Sequence, residues 1–297
     1  VYWSVCRGNK KGKDMKKEMF AVAALVVAGC VTIPEGGNQP VNIEQMIGAS
    51  NRVAVCIGLT SVDPRAYQGW AGDCPGCDVD AKGLYGLFLN NGFSANLILN
   101  SAATWDGVRN TISDSSKSLK AGDLLVIAMS GHGGQMPDNN GDEPSGQDST
   151  LCLWDGQVRD DDFLKLIQSL PRGIRIVLIN DQCHSEGNFK AMWRQLKRGV
   201  TLGSAGKKTA IPLIRGAATD QFQLIQFAGC REANYSYGSS TGGTWTQNLL
   251  SVYKPELTWR QWFDNAEKLM PSQQIPVWTL YPEGAVAKEF VNGSVLK

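Results

Sequence analysis

Histidine is nearly missing from this sequence: His132 and His184 are the two in 297 residues. A metal centre built on several imidazoles is therefore excluded, and an imidazole base must be one of those two. Charge bias is missing as well. Lysine and arginine number 29 against 28 aspartates and glutamates, so nothing marks a nucleic-acid partner. No apolar run approaches the roughly 20 residues that a membrane-spanning helix needs. There is no GxxxxGK loop for nucleotide phosphates, no internal repeat and no second domain. Cys74-Pro75-Gly76-Cys77 has the spacing of half a metal site but no second pair or neighbouring His. That rules against a four-ligand zinc and leaves a local disulfide as one reading.

What is present centres on two apolar runs. Arg175-Ile176-Val177-Leu178-Ile179 follows Pro171 and Gly173 and ends at Asn180-Asp181-Gln182-Cys183-His184-Ser185. Asp123 to Met129 ends at Ser130-Gly131-His132-Gly133-Gly134. Both read as buried parallel strands, and the carboxyl ends of such strands are where ligands and catalysis gather. A Cys after a strand is by itself usually a small buried hydrophobe, and a His among glycines is usually a turn residue. Together they read differently, because a thiol nucleophile needs a base. His184 adjoins Cys183, and neighbouring side chains on extended backbone point to opposite faces, so His132 is the base. Asp181, two positions before Cys183, points to the same side and can face a pocket. The backbone N–H groups of Gly133 and Cys183 are the oxyanion donors.

The rest of the chain from residue 51 alternates strand and helix. Strands are expected at Arg52–Leu59, Ala95–Leu99 and Phe222–Ala228, with an edge strand at Ile275–Leu280 that tolerates Pro276. Helices are expected through Leu84 to Phe88, from Thr104 as cap to Leu119, from Thr244 to Val252, and from Thr258 to Met270. Asp160, Asp161 and Asp162 open another before Phe163. Met136 to Gly146 reads as an exposed polar loop. Cys56, Cys152 and Cys230 lie in apolar runs and read as core. The fold class is α/β, with a mainly parallel sheet and helices on both faces.

The ordered set Ser130-Gly131-His132-Gly133-Gly134, Asp138 to Glu143 with Asp148, and Asp181-Gln182-Cys183-His184-Ser185 resembles the caspase-like cysteine peptidases. The metacaspase-like bacterial branch is the nearest match, from about Arg52 to Tyr281. The resemblance implies a three-layer caspase-like sandwich and a Cys183–His132 dyad. It places Asp80, Ser130 and Asp181 in an acidic S1 pocket that takes Arg or Lys, so the implied partners are protein or peptide substrates with basic residues. It implies an activating calcium at Asp148, Asp160 and Asp161, although Lys190 stands where the last acidic ligand is expected. No cofactor is otherwise required. The basic stretch 190–208 resembles a self-cleavage loop. A second reading stays open: Glu186, where the family usually has Gly, and Gln182 suit a catalytically inactive, peptide-binding or scaffold relative.

Residues 1–50 stand apart. Lys16 and Lys17 precede the apolar Phe20 to Val27, and Val27-Ala28-Gly29-Cys30 resembles a bacterial lipobox. A signal over about 15–30 with Cys30 lipidated is expected, followed by a Pro- and Gly-containing tether. This implies a bacterial cell-envelope protein held by a lipid anchor, or a cytoplasmic one if the signal is not used. The sequence carries no mark of oligomeric state.

Overall fold

The computed structural model describes residues 51–141, 145–183, 222–231, 236–282 and 285–295. The lipobox at Cys30, His184, Lys190 and the 190–208 stretch lie outside the described residues. Contacts divide the chain into two units, Val1–Ala49 and Ser50–Lys297, and every described element belongs to the second.

Six strands make the central sheet: β1 (Arg52–Gly58), β2 (Ser94–Leu99), β3 (Leu124–Ser130), β7 (Ile174–Asp181), β8 (Phe222–Ala228) and β11 (Val277–Tyr281). Their order is β11-β8-β7-β3-β1-β2. All neighbours are parallel except β11, which runs antiparallel along β8 at the edge. Near-continuous apolar runs, as in β3 and β7, are what a sheet covered on both faces requires.

The period of two then sorts each strand onto two cores. Leu125, Ile127, Met129, Ile176 and Leu178 face an aliphatic core. That core is shared with helices α2 (Trp105–Ser116) and α3 (Asp160–Ser169). Leu124, Val126, Ala128, Val177 and Ile179 face the other side. There they meet α1 (Cys77–Asn90), α4 (Thr244–Val252) and α5 (Trp259–Glu267). This second core is aromatic: Phe227 packs on Trp245, Trp259, Trp262 and Phe263. Each fully buried side chain of this size contributes roughly 1.5–3 kcal/mol. The expected caps form: Thr104 accepts from Gly107 N–H, and Thr258 and Gln261 make a reciprocal capping box.

One expectation is corrected. The segment expected to be loop from Met136 onward begins inside β4 (Gly133–Pro137). It pairs antiparallel with β5 (Gln147–Leu153), which pairs with β6 (Gly156–Arg159). Gly, Pro and Gln carry no alternating apolar signal, so this small sheet is held by its backbone ladder and hides from a hydrophobicity reading. A two-strand ribbon, β9 (Gly238–Ser239) with β10 (Gly242–Gly243), and a last helix α6 (Ala285–Asn292) were also not expected.

Candidate active site

Strand parity builds the site. Ser130 and Asp181 are the final residues of adjacent β3 and β7 and are register partners. Counting by twos from Ala128 and Ile179, both turn toward the α1/α4 side. There they meet Asp80, in the first turn of α1, and the N-terminus of α4.

Asp80 is fully buried. It accepts from Ser130 Oγ at 2.7 Å, Gly243 N–H at 2.8 Å and Gln247 Nε2 at 2.8 Å. Asp181 is 4% exposed and accepts from the Thr246 N–H and hydroxyl, both at 2.9 Å, and from the Ser236 hydroxyl. Both carboxylates therefore sit at the amino end of α4, where free N–H groups and the helix dipole favour negative charge. Glycine is required between them. A Cβ at Gly243 would lie 2.2 Å from Asp181 Oδ2 and 3.0 Å from Asp80 Oδ2.

Burial pushes Asp80 up to about 6, and the nearby Asp181 charge adds to it against the three hydrogen bonds. Burial also raises Asp181, opposed by Ser236 and Thr246. The result is a buried pair of carboxyl groups framed by neutral donors.

A cavity of about 190 Å³ opens onto this recess, and Ser130, Asp181, His132 and Cys183 all line it. Asp80 stands behind that wall rather than on it. Burial raises the Cys183 thiol above its ordinary value, and the Asp181 charge adds to this while the Ser236 N–H opposes it. Burial thus disfavours the thiolate, and a base beside the thiol would offset that. His132 is half-buried, with Nε2 at 3.1 Å from the Asp73 carbonyl oxygen. A carbonyl only accepts, so Nε2 carries a proton in this contact and Nδ1 is the ring nitrogen left for another partner. Behind the site, Gln182 Nε2 donates to the His132 carbonyl at 3.2 Å.

Gly133 lies beside a second cavity, with Trp70 and Tyr67, not the one that Cys183 lines. Its backbone direction follows from the ladder. Cys152 N–H donates to the His132 carbonyl at 3.0 Å, so the Gly133–Leu151 pair is non-hydrogen-bonded and the Gly133 N–H points away from β5.

Cys74 and Cys77 form a disulfide on the cavity wall, while Cys56, Cys152 and Cys230 are buried as expected. The acidic trio has partners within the chain. Asp148, Asp160 and Asp161 are buried, but Asp148 pairs with Arg159 Nε at 2.6 Å and Asp161 accepts from the Asn140 amide. Among the described residues no three His, Cys, Asp or Glu are placed to hold a metal ion. No step is derived through calcium.

Sequence reading missed Ser236, Thr246, Gln247, Asp73 and Gln274. Gln274 is buried and braces the wall, donating to Gly229 O and Ser236 Oγ and accepting from Tyr237 N–H. The one signal for this wall was Gly242-Gly243, which reads only as a helix start.

A mainly parallel sheet with helices on both faces, and a Cys and a His on adjacent strand ends, defines a caspase-like α/β fold. The family model for the caspase domain matches residues 51–282, and the chain belongs to that family. Its relatives include Metacaspase-4 of Arabidopsis thaliana, 32% identical over 45% of this chain and 33% of the relative. Metacaspase-1 of Eremothecium gossypii is 25% identical over 72% of this chain and 50% of the relative. The chain thus spans a third to a half of the length of these two. Among solved structures, protein GSU0716 of Geobacter sulfurreducens superimposes with a TM-score of 0.66 at 26% identity, over 83% of this chain and 98% of that one.

Proposed function

We propose that this protein is a cysteine endopeptidase that cleaves after Arg or Lys. The observation that carries the reading is a shared cavity in which Cys183 and His132 stand over the Asp80–Asp181 recess. Cys183 Sγ attacks the scissile carbonyl carbon, and His132 Nδ1 takes the thiol proton. The same imidazole then gives that proton to the leaving amine, and water hydrolyses the thioester. The outward Gly133 N–H and the Cys183 N–H support the oxyanion.

A guanidinium or ammonium at P1 neutralises a recess that otherwise holds uncompensated negative charge, through charge-assisted hydrogen bonds. An acidic P1 would add a third negative charge there. Turnover of a fluorogenic Arg-peptide, lost in Cys183→Ala, is the expected result; equal rates in both proteins would sink the proposal and favour a peptide-binding relative. The same reading includes self-cleavage within 190–208, checked by whether purified Cys183→Ala stays intact where wild type is cut. It also includes a lipid anchor at Cys30, checked by whether Cys30→Ser leaves the membrane fraction.

A further inference from the structure

We infer that the groove on the far side of His132 binds the substrate residues after the scissile bond, and that Trp70 selects a bulky apolar side chain there. The inference rests on the cysteine-peptidase reading above and extends it to the leaving-group side.

The acidic recess lies on the α1/α4 side of the sheet. The second cavity, of about 520 Å³, lies on the opposite side, beside β4 and β5. Tyr67 on its wall packs against the aliphatic core. His132 stands between the two, because it lines the first cavity while its ring meets the Trp70 ring at 4.9 Å. A general acid must sit at the nitrogen it protonates. The chain attached to that nitrogen therefore departs past His132, away from the P1 recess and into this groove.

The groove is built rather than incidental. Trp70 is 46% exposed, and an exposed Trp alone would mean little. Here it is held. Tyr67 meets Trp70 edge-on at 5.7 Å and anchors itself by donating its hydroxyl to Leu153 O at 2.6 Å. The turn that presents them is tied by Gly69 N–H to Pro64 O at 2.7 Å and Trp70 N–H to Tyr67 O at 3.0 Å. Gly72 leaves room for the indole, since a Cβ there would lie 3.2 Å from it. Opposite, Gly134 keeps the floor open: its Cβ would fall 2.7 Å from Gln157 Oε1. Met136 supplies an adaptable apolar wall.

Among the described residues β4 pairs only with β5, along one of its two edges. By the same ladder alternation that turns Gly133 outward, Gln135 also presents its N–H and C=O to the other edge. An extended peptide can add there as a strand, with one side chain reaching the indole.

The test uses Cys183→Ala protein, which cannot cleave, and two dye-labelled peptides read by fluorescence anisotropy. One carries Gly-Gly-Arg-Phe-Leu-Gly and the other Gly-Gly-Arg-Gly-Gly-Gly. The Phe-Leu peptide is expected to bind about tenfold more tightly, as burial of one aromatic side chain allows. Adding Trp70→Ala should cut that preference to below about threefold without weakening the all-Gly peptide, and Trp70→Phe should restore most of it. Equal binding of the two peptides, or a preference that survives Trp70→Ala, overturns the inference and leaves the Arg reading standing. Binding of neither peptide removes the Arg reading, and the inference with it. In active protein, Trp70→Ala should slow the Phe-Leu peptide selectively. An equal loss on both peptides would show that the indole merely positions His132, and would overturn the inference too.

Discussion

Two groups of buried carboxylates in this domain differ in where their positive charge comes from. Asp148 is fully buried and meets Arg159 Nε at 2.6 Å, so that region supplies its own cation on folding. Asp80 and Asp181 are just as buried, but their partners are neutral: two backbone N–H groups, three hydroxyls and an amide. Hydrogen bonds from neutral donors hold a carboxylate in place without cancelling its charge. A buried charge left in that state is costly unless something arrives to neutralise it. Asp148 already holds an ion pair with Arg159, and on the function proposed above the Asp80–Asp181 region is the one that receives a cation from another molecule.

The contrast breaks or holds on substitution. Asp181→Ala should lower kcat/KM for an Arg-peptide at least a hundredfold, about 3 kcal/mol of lost charge-assisted bonding. The melting temperature should hardly move, because removing an uncompensated buried charge offsets the lost hydrogen bonds. A large drop in melting temperature with turnover preserved would reverse the assignment. Asp148→Ala should do the opposite. It strands the partly exposed Arg159 and costs about 2 kcal/mol of stability, read by denaturant titration. Turnover of the folded protein should change by less than about threefold, given that a lost structural ion pair acts on stability. Should Asp148→Ala abolish turnover in a stable protein, the region would be functional after all, and calcium titration would be the next measurement.

The smallest effect is on pH. Asp80 is raised from 3.8 to about 6. Between those values the folded protein holds a proton that the unfolded chain has released. This group's contribution to stability is therefore complete below the window and is lost as pH rises through about 6. Ligand binding has the opposite sign, because the charged form attracts the cation. Benzamidine, which needs no catalytic His, should bind about tenfold more weakly at pH 5 than at pH 7. Flat binding across that range would mean that Asp80 keeps an ordinary carboxylate value.

The sequence made the strands legible because buried β-branched runs ending in polar residues have few other meanings. It also made Asp181 and Cys183 legible as one side of one edge, since parity needs only counting, whereas Ser130 came from the resemblance. The walls were harder. Ser236, Thr246, Gln247 and Gln274 are common polar residues that act through long-range hydrogen bonds, and no local spacing marks them. The calcium expectation came from resemblance, whereas the geometry gives Asp148 an arginine. The β4 strand escaped because Gly133, Gly134 and Pro137 carry no apolar alternation. Trp70 gave no signal, since its meaning depends on a histidine far along the chain.

Everything proposed for the site rests on Cys183 being a nucleophile served by a recess for basic side chains. Covalent labelling with an arginyl chloromethyl ketone and with its aspartyl counterpart, followed by peptide mapping by mass spectrometry, reads this without an intermediate step. Rapid, single modification at Cys183 by the arginyl reagent is expected, with loss of that labelling in Asp181→Ala and little reaction with the aspartyl one. Equal labelling by both reagents, or modification of Cys56, Cys152 or Cys230 with Cys183 untouched, would contradict it.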